Sequence, residues 1–166
     1  MGSLTKLIDA VLFLFFLVIA VAAPVLDFQT CLPRDLYPDA LVNLKKWYAD
    51  IYGDYLVAEK PHFFVGIVWV ELLFQWPLSI AALYGILGGK SWVRTVSLMY
   101  GSSTLTAMVA ILAEMRNSGK ASEKLFMLYY PFLGFALLAI LRGLLPHSGR
   151  TTTLGKRPLF NRKKRA

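Results

Sequence analysis

Four apolar stretches of membrane-crossing length, near residues 7–26, 63–87, 93–113 and 124–145, constrain this chain more than any other feature. A bilayer core of roughly 30 Å takes about 20 apolar residues as a helix, and inside it every backbone N–H and C=O must find its partner within the protein. The sequence therefore predicts an all-α, polytopic membrane protein with four transmembrane helices. At 57% hydrophobic and 17% charged residues, the chain is also too apolar and too poor in charge for an ordinary water-soluble domain of its length. The first stretch has the composition of a secretory signal. It is long for a signal core, however, and the small-residue site after Ala23 runs straight into Pro24, so it is expected to remain as a helix.

Orientation follows from the basic residues. After Glu123 the chain has no acid but carries Arg142, Arg150, Lys156, Arg157, Arg162, Lys163, Lys164 and Arg165, so the basic tail, 147–166, is expected on the cytosolic side. An even number of spans then places the N-terminus there too. The first loop sets six acids (Asp27, Asp35, Asp39, Asp50, Asp54, Glu59) against four bases (Arg34, Lys45, Lys46, Lys60), as suits the lumenal side. Within it, residues 41–52 have helical spacing of apolar positions and predict a short lumenal helix capping the bundle. Lys163 and Lys164 occupy the fourth and third positions from the C-terminus, the dilysine pattern of retrieval to the endoplasmic reticulum. The net charge of +8 comes without a nucleic-acid motif, and no nucleic-acid partner is expected. Cys31 is the single cysteine and His62 and His147 lie far apart, so no disulfide framework, metal site or cofactor is expected.

The groups able to carry chemistry are few. Glu71 and Gln75 lie inside the second stretch, four residues apart and hence on one helix face, just before Pro77. Polar groups at that depth must face protein or a cavity. Asp27 ends the first stretch, and the two carboxylates are placed to meet near the lumenal end of the bundle. Two ionised acids would repel, so the pair is expected to hold one proton on Glu71 and leave Asp27 as the anion. Such a pair attracts an amine-bearing ligand, with Trp47, Tyr48, Tyr100 and Phe132 supplying apolar and cation-π surface. A blander role for Glu71, a hydrogen bond to a neighbouring helix, stays open. Asp54 follows Gly53 and is expected to fix the turn after the capping helix, a structural role. The small and hydroxylated run 100–106 suits close helix approach, and Tyr129 and Tyr130, just before Pro131, suit an interfacial belt.

The run 26–38 (LDFQTCLPRDLYP), Asn43-Leu-Lys-Lys-Trp-Tyr-Ala49, Glu71-Leu-Leu-Phe-Gln-Trp-Pro77 and Trp92-Val-Arg-Thr95 together resemble the sigma-2 receptor, or transmembrane protein 97, family. Its EXPERA domain is shared with emopamil-binding protein, a sterol isomerase. The resemblance covers nearly the whole chain, 1–166, as a single four-helix membrane domain. It implies an endoplasmic-reticulum protein that forms homodimers, with a pocket opening sideways to the lipid and accepting sterols or cationic amphiphiles. The family's amine-binding aspartate falls on Asp27, its partner glutamate on Glu71, its pocket glutamine on Gln75 and its loop aspartate on Asp54. Departures fall near Ile19, where the animal receptor has histidine, at Ala107, where it has threonine, and at Phe132, where it has tyrosine. A role in intracellular sterol homeostasis, with a sterol-transport membrane protein as partner, belongs to the same implication.

The rival expectation is a sterol Δ8–Δ7 isomerase, which needs an acid and a base set across the sterol rings. The residue four before Glu71 is Ile67 rather than the isomerase's histidine, and the third stretch offers only Glu114 at its edge. Binding without catalysis is therefore the favoured expectation.

Overall fold

A computed structural model of the chain describes residues 3–145. The basic tail, with Lys163 and Lys164, lies outside the described residues. Helix α1 (Ser3–Ala22) continues through a π turn (Ala23–Asp27) and a 3-10 turn (Phe28–Thr30). After a loop with a second 3-10 turn (Arg34–Leu36) come α2 (Asp39–Tyr52) and the short α3 (Tyr55–Glu59). The second long helix is α4 (His62–Val70), a π turn (Glu71–Gln75) and α5 (Trp76–Leu87); α6 (Val93–Ser118) and α7 (Glu123–Leu144) complete the bundle. Four continuous helical stretches are long and apolar enough to cross a membrane: Ser3–Thr30, His62–Leu87, Val93–Ser118 and Glu123–Leu144. No strand occurs among the described residues. This is a multi-pass α-helical membrane protein.

The third span runs five residues beyond the apolar stretch ending at 113. Its extra turn is kept by Met115, which is buried with Leu56, Val57 and Leu125 rather than solvated. The helix stops where Gly119 takes the left-handed backbone (φ 67°) that residues with a Cβ avoid. At the start of α7, Ser122 caps the helix by accepting from the Leu125 N–H at 3.2 Å.

Helices α6 and α7 form the tightest pair. A Cβ on Gly101 would stand 2.7 Å from the Ala136 carbonyl oxygen, so only glycine permits this approach of the two backbones. Helix α1 packs against α5 and α7, placing Phe15 and Phe16 edge-on to Tyr100. The buried core divides in two. One cluster centres on Leu12, Phe15, Phe16, Ala82, Tyr100 and Ala139, the other on Leu56, Phe64, Val68, Ile111, Met115 and Leu125. Leu14, Leu17, Leu73, Leu137 and Leu141 face outward, as lipid-facing side chains must. In water such a surface would aggregate.

One ionic contact was not foreseen. Arg142 in the last turn of α7 is 4% exposed and Asp9 on α1 is 7% exposed, and the guanidinium grips the carboxylate with both Nε and Nη2. Arg142 is thus neutralised inside the bundle and is not a free flanking charge. The pair also fixes the start of the first span and the end of the fourth at one end of the bundle.

Candidate functional site

The two long helices that carry Asp27 and Glu71 are each deformed where that acid sits. In the first π turn the Phe28 N–H bonds to the Ala23 carbonyl, and in the second the Trp76 N–H bonds to that of Glu71, five residues back in both cases. Proline accounts for much of this. Pro24 has no N–H for the carbonyl of Ala20, and that oxygen is taken instead by the Trp76 indole N–H at 3.1 Å. Pro77 opens the first turn of α5 in the same way on the second helix. The two π turns touch, bringing Asp27 from the end of one and Glu71 from the start of the other into a single cavity between the two core clusters. Single-turn π segments of this kind recur at functional sites because they redirect the side chains that follow.

The cavity measures about 190 Å³, many times the space one water needs, so it is not a packing defect. Its walls are mostly apolar, with Ile19, Phe64, Val68, Ile111, Leu128 and Phe132 among them. The polar groups are Asp27, Glu71, Gln75 and Thr104 with the hydroxyls of Tyr48, Tyr100 and Tyr129. Gln75 is spent on helix α6: its Nε2 donates to Ser103 Oγ at 3.0 Å and its Oε1 accepts from Thr104 Oγ1 at 3.3 Å. The carboxylates of Asp27 and Glu71, by contrast, have no hydrogen-bond partner among the described residues, although the Asp27 charge reaches Glu71. Two deep acids without donors are costly unless something else in the cavity supplies the partner.

Asp54 does different work. It is fully buried; its Oδ1 caps α3 by accepting from the Val57 N–H at 3.2 Å, and its Oδ2 accepts from Tyr48 Oη at 3.1 Å and Tyr129 Oη at 2.9 Å. One carboxylate therefore starts a helix and holds two cavity tyrosines in place. Burial, and then the Asp54 charge and hydrogen bond, push the Tyr48 phenol well above its usual range, so it stays a donor.

Of the residues proposed from sequence to touch a ligand, the structure gathers Asp27, Glu71, Gln75, Tyr48, Tyr100 and Phe132 around the cavity. It does not bring Trp47 there: the indole is 56% exposed on the outer face of α2, in line with Leu44 and Ile51. Two participants were missed. Tyr129, read as part of an interfacial belt, points inward to Asp54. Lys45, counted only as a loop charge, is 8% exposed, donates to Thr30 Oγ1 at 2.7 Å, and is the chief cation acting on Asp27. It shares one face of α2 with Tyr48, Ala49 and Tyr52, but Leu44, Trp47 and Ile51 make a second apolar face, so the sequence carries no signal that singles it out. Glu114 is exposed and does not line the cavity, and no His, Cys, Asp or Glu cluster suited to a metal occurs among the described residues.

The sequence of residues 40–143 matches the family model described as EXPERA (EXPanded EBP superfamily), well over half of the chain. The chain belongs to the EXPERA family. Among curated relatives of this EXPERA protein, Sigma intracellular receptor 2 of Xenopus tropicalis is 30% identical over 116 residues, covering 69% of the chain and 68% of that protein. The proteins of the same name from Homo sapiens and Macaca fascicularis are each 40% identical over 89 residues, covering 53% of the chain and 51% of the relative. The match thus spans about half the length of the two primate proteins. The matched EXPERA region contains Tyr48, Asp54, Glu71, Gln75, Tyr100, Tyr129 and Phe132, while Asp27 lies ahead of it.

Proposed function

We propose that this EXPERA protein is a non-enzymatic membrane receptor that binds sterols or cationic amphiphiles in its intramembrane cavity. The observation that carries the reading is the pair of acids, Asp27 and Glu71, left without hydrogen-bond donors in a cavity that is otherwise mostly apolar. A protonated amine or a sterol hydroxyl supplies the missing donor, and the aromatic wall of Tyr100 and Phe132 takes the apolar body. A lipophilic ligand needs a path from the bilayer. An apolar groove between α1 and α7, lined by Leu14, Phe15, Pro131 and Phe135, shares Val18 and Phe132 with the cavity and offers that path.

The relatives are named as intracellular receptors. With the positive-inside bias, that name supports residence in an intracellular membrane, on this reading that of the endoplasmic reticulum, with both ends of the chain cytosolic. On this reading the protein acts in sterol homeostasis and transport, as a homodimer and beside a sterol-transport membrane protein.

Isomerase chemistry is the second reading, favoured by the presence of two acids in one cavity. Both acids, however, come from the touching π turns, and no acid enters from α6 or α7 to serve the far side of a ring system. The deciding experiment is equilibrium binding of a labelled cationic amphiphile and of a hydroxysterol to the purified protein in mild detergent. We expect Asp27→Asn to weaken the amphiphile by at least tenfold and the sterol less. Absence of binding to the wild type by both ligands overturns the receptor reading, and conversion of a Δ8 to a Δ7 sterol overturns the non-enzymatic part.

A further inference from the structure

A second cavity lies outside the four-helix core, enclosed by the first loop, α2 and α3, and it has the opposite electrostatic character. It measures about 410 Å³, enough for a headgroup rather than a few waters. Lys45, Lys46 and Lys60 line it together with Arg34, over an apolar floor that includes Leu32 and Val57. The single acid on its wall is Asp50, and among the described residues no ion pair engages Lys45, Lys46, Lys60 or Asp50. Arg34 is held by Asp39 at 3.4 Å.

Three further observations make this more than a solvated basic patch. Lys45 is buried and uses one of its three donors, on Thr30 Oγ1. Lys60 sits in the left-handed backbone region (φ 51°) that caps α3, where glycine is the usual residue, and its ammonium reaches only the Gln29 carbonyl oxygen at 3.5 Å. The two ammonium groups repel each other, and after burial the Lys60 charge is the largest influence lowering Lys45, to about 8. Like charges held together over an apolar floor are relieved by an anion.

The position says where that anion comes from. Gln29 stands in the last turn of the first span, and Lys60 two residues before the second span begins at His62. The cavity is therefore at the membrane boundary, at the depth of phosphate headgroups. We propose that the lysine-walled cavity of α2 and α3 binds the phosphate headgroup of an anionic lipid. The site is separate from the carboxylate cavity and does not depend on the receptor reading. Lys45 stands between the two, facing the phosphate and acting on Asp27.

The test is native mass spectrometry of the full chain with dioctanoyl phosphatidic acid, dioctanoyl phosphatidylcholine and glycerol 3-phosphate. We expect saturable binding of the phosphatidic acid, at least fivefold tighter than the phosphatidylcholine, and a fivefold or greater loss in Lys60→Gln and Lys45→Met. Lys124→Gln, an exposed lysine on α7, serves as the unaffected control. Lys60 is exposed, so Lys60→Gln keeps the test valid if the buried Lys45→Met fails to fold. Binding of glycerol 3-phosphate as tight as that of the lipid and equally lysine-dependent assigns the site to free phosphate esters and overturns the lipid source. Phosphatidic acid binding that ignores both lysines overturns the site altogether.

Discussion

Asp9→Asn replaces a buried carboxylate with a neutral group of nearly the same shape, and its cost can be worked from the geometry. In the wild type both Nε and Nη2 of Arg142 are satisfied by Asp9, and neither side chain has appreciable access to solvent. The asparagine accepts at most one of those bonds and leaves the guanidinium charge uncompensated. Removing one partner of a buried pair costs roughly 3–5 kcal/mol. For a chain of this size that is a fall in Tm of about 6–20 °C. The double variant Asp9→Leu/Arg142→Met removes both charges and is expected to recover to within about 1 kcal/mol of the wild type, because apolar pairs commonly replace buried ion pairs at little cost. Thermal unfolding in mild detergent, followed by tryptophan fluorescence, reads both. The reasoning is refuted if Asp9→Asn melts with the wild type, or if the double variant is no better than the single one.

Asp54→Ala removes a helix cap and orphans the hydroxyls of Tyr48 and Tyr129, and should cost roughly 3–5 kcal/mol, whereas Tyr129→Phe should cost about 1 kcal/mol; equal melting of the two variants contradicts the shared-carboxylate reading. Gly101→Ala drives a methyl group into the Ala136 carbonyl and should destabilise by about 1–3 kcal/mol, checked by the same melts. Lys45 is lowered from 10.5 to about 8, by burial first and by Lys60 second, so the folded chain binds fewer protons there than the unfolded chain over that window. Its share of the stability therefore rises from pH 8 towards 10.5 and is lost as pH falls through 8; Lys45→Met should flatten that part of the stability profile.

The spans were legible because the bilayer leaves so few solutions: length and apolarity alone locate four helices. Glu71 and Gln75 stood out for the same reason, as polar groups where the solvent is hydrocarbon. The remainder was set by contacts across the chain. Helix α2 carries apolar residues on two faces, Tyr48, Ala49 and Tyr52 on one and Leu44, Trp47 and Ile51 on the other, so spacing could not say which face turned inward. Packing against α3 and the first π turn decided it, taking Lys45 in and leaving Trp47 out. Tyr129 meets its partner 75 residues away, and Arg142 meets Asp9 across 133. That second pairing was implicit in the topology, since an even number of spans returns the chain to the side where it began. The π turns follow from Pro24 and Pro77 only once the helices are known to run through them.

The most direct test of the central claim is photo-crosslinking of a diazirine-bearing lipophilic amine to the protein in bilayer nanodiscs, with the labelled peptides mapped by mass spectrometry. The account predicts adducts on the cavity wall, at Glu71, Tyr100, Tyr129 or Phe132, that an unlabelled amine displaces and that Asp27→Asn abolishes. Adducts confined to lipid-facing positions such as Leu17, Leu73 or Leu137, or cavity labelling unchanged by Asp27→Asn, would contradict it.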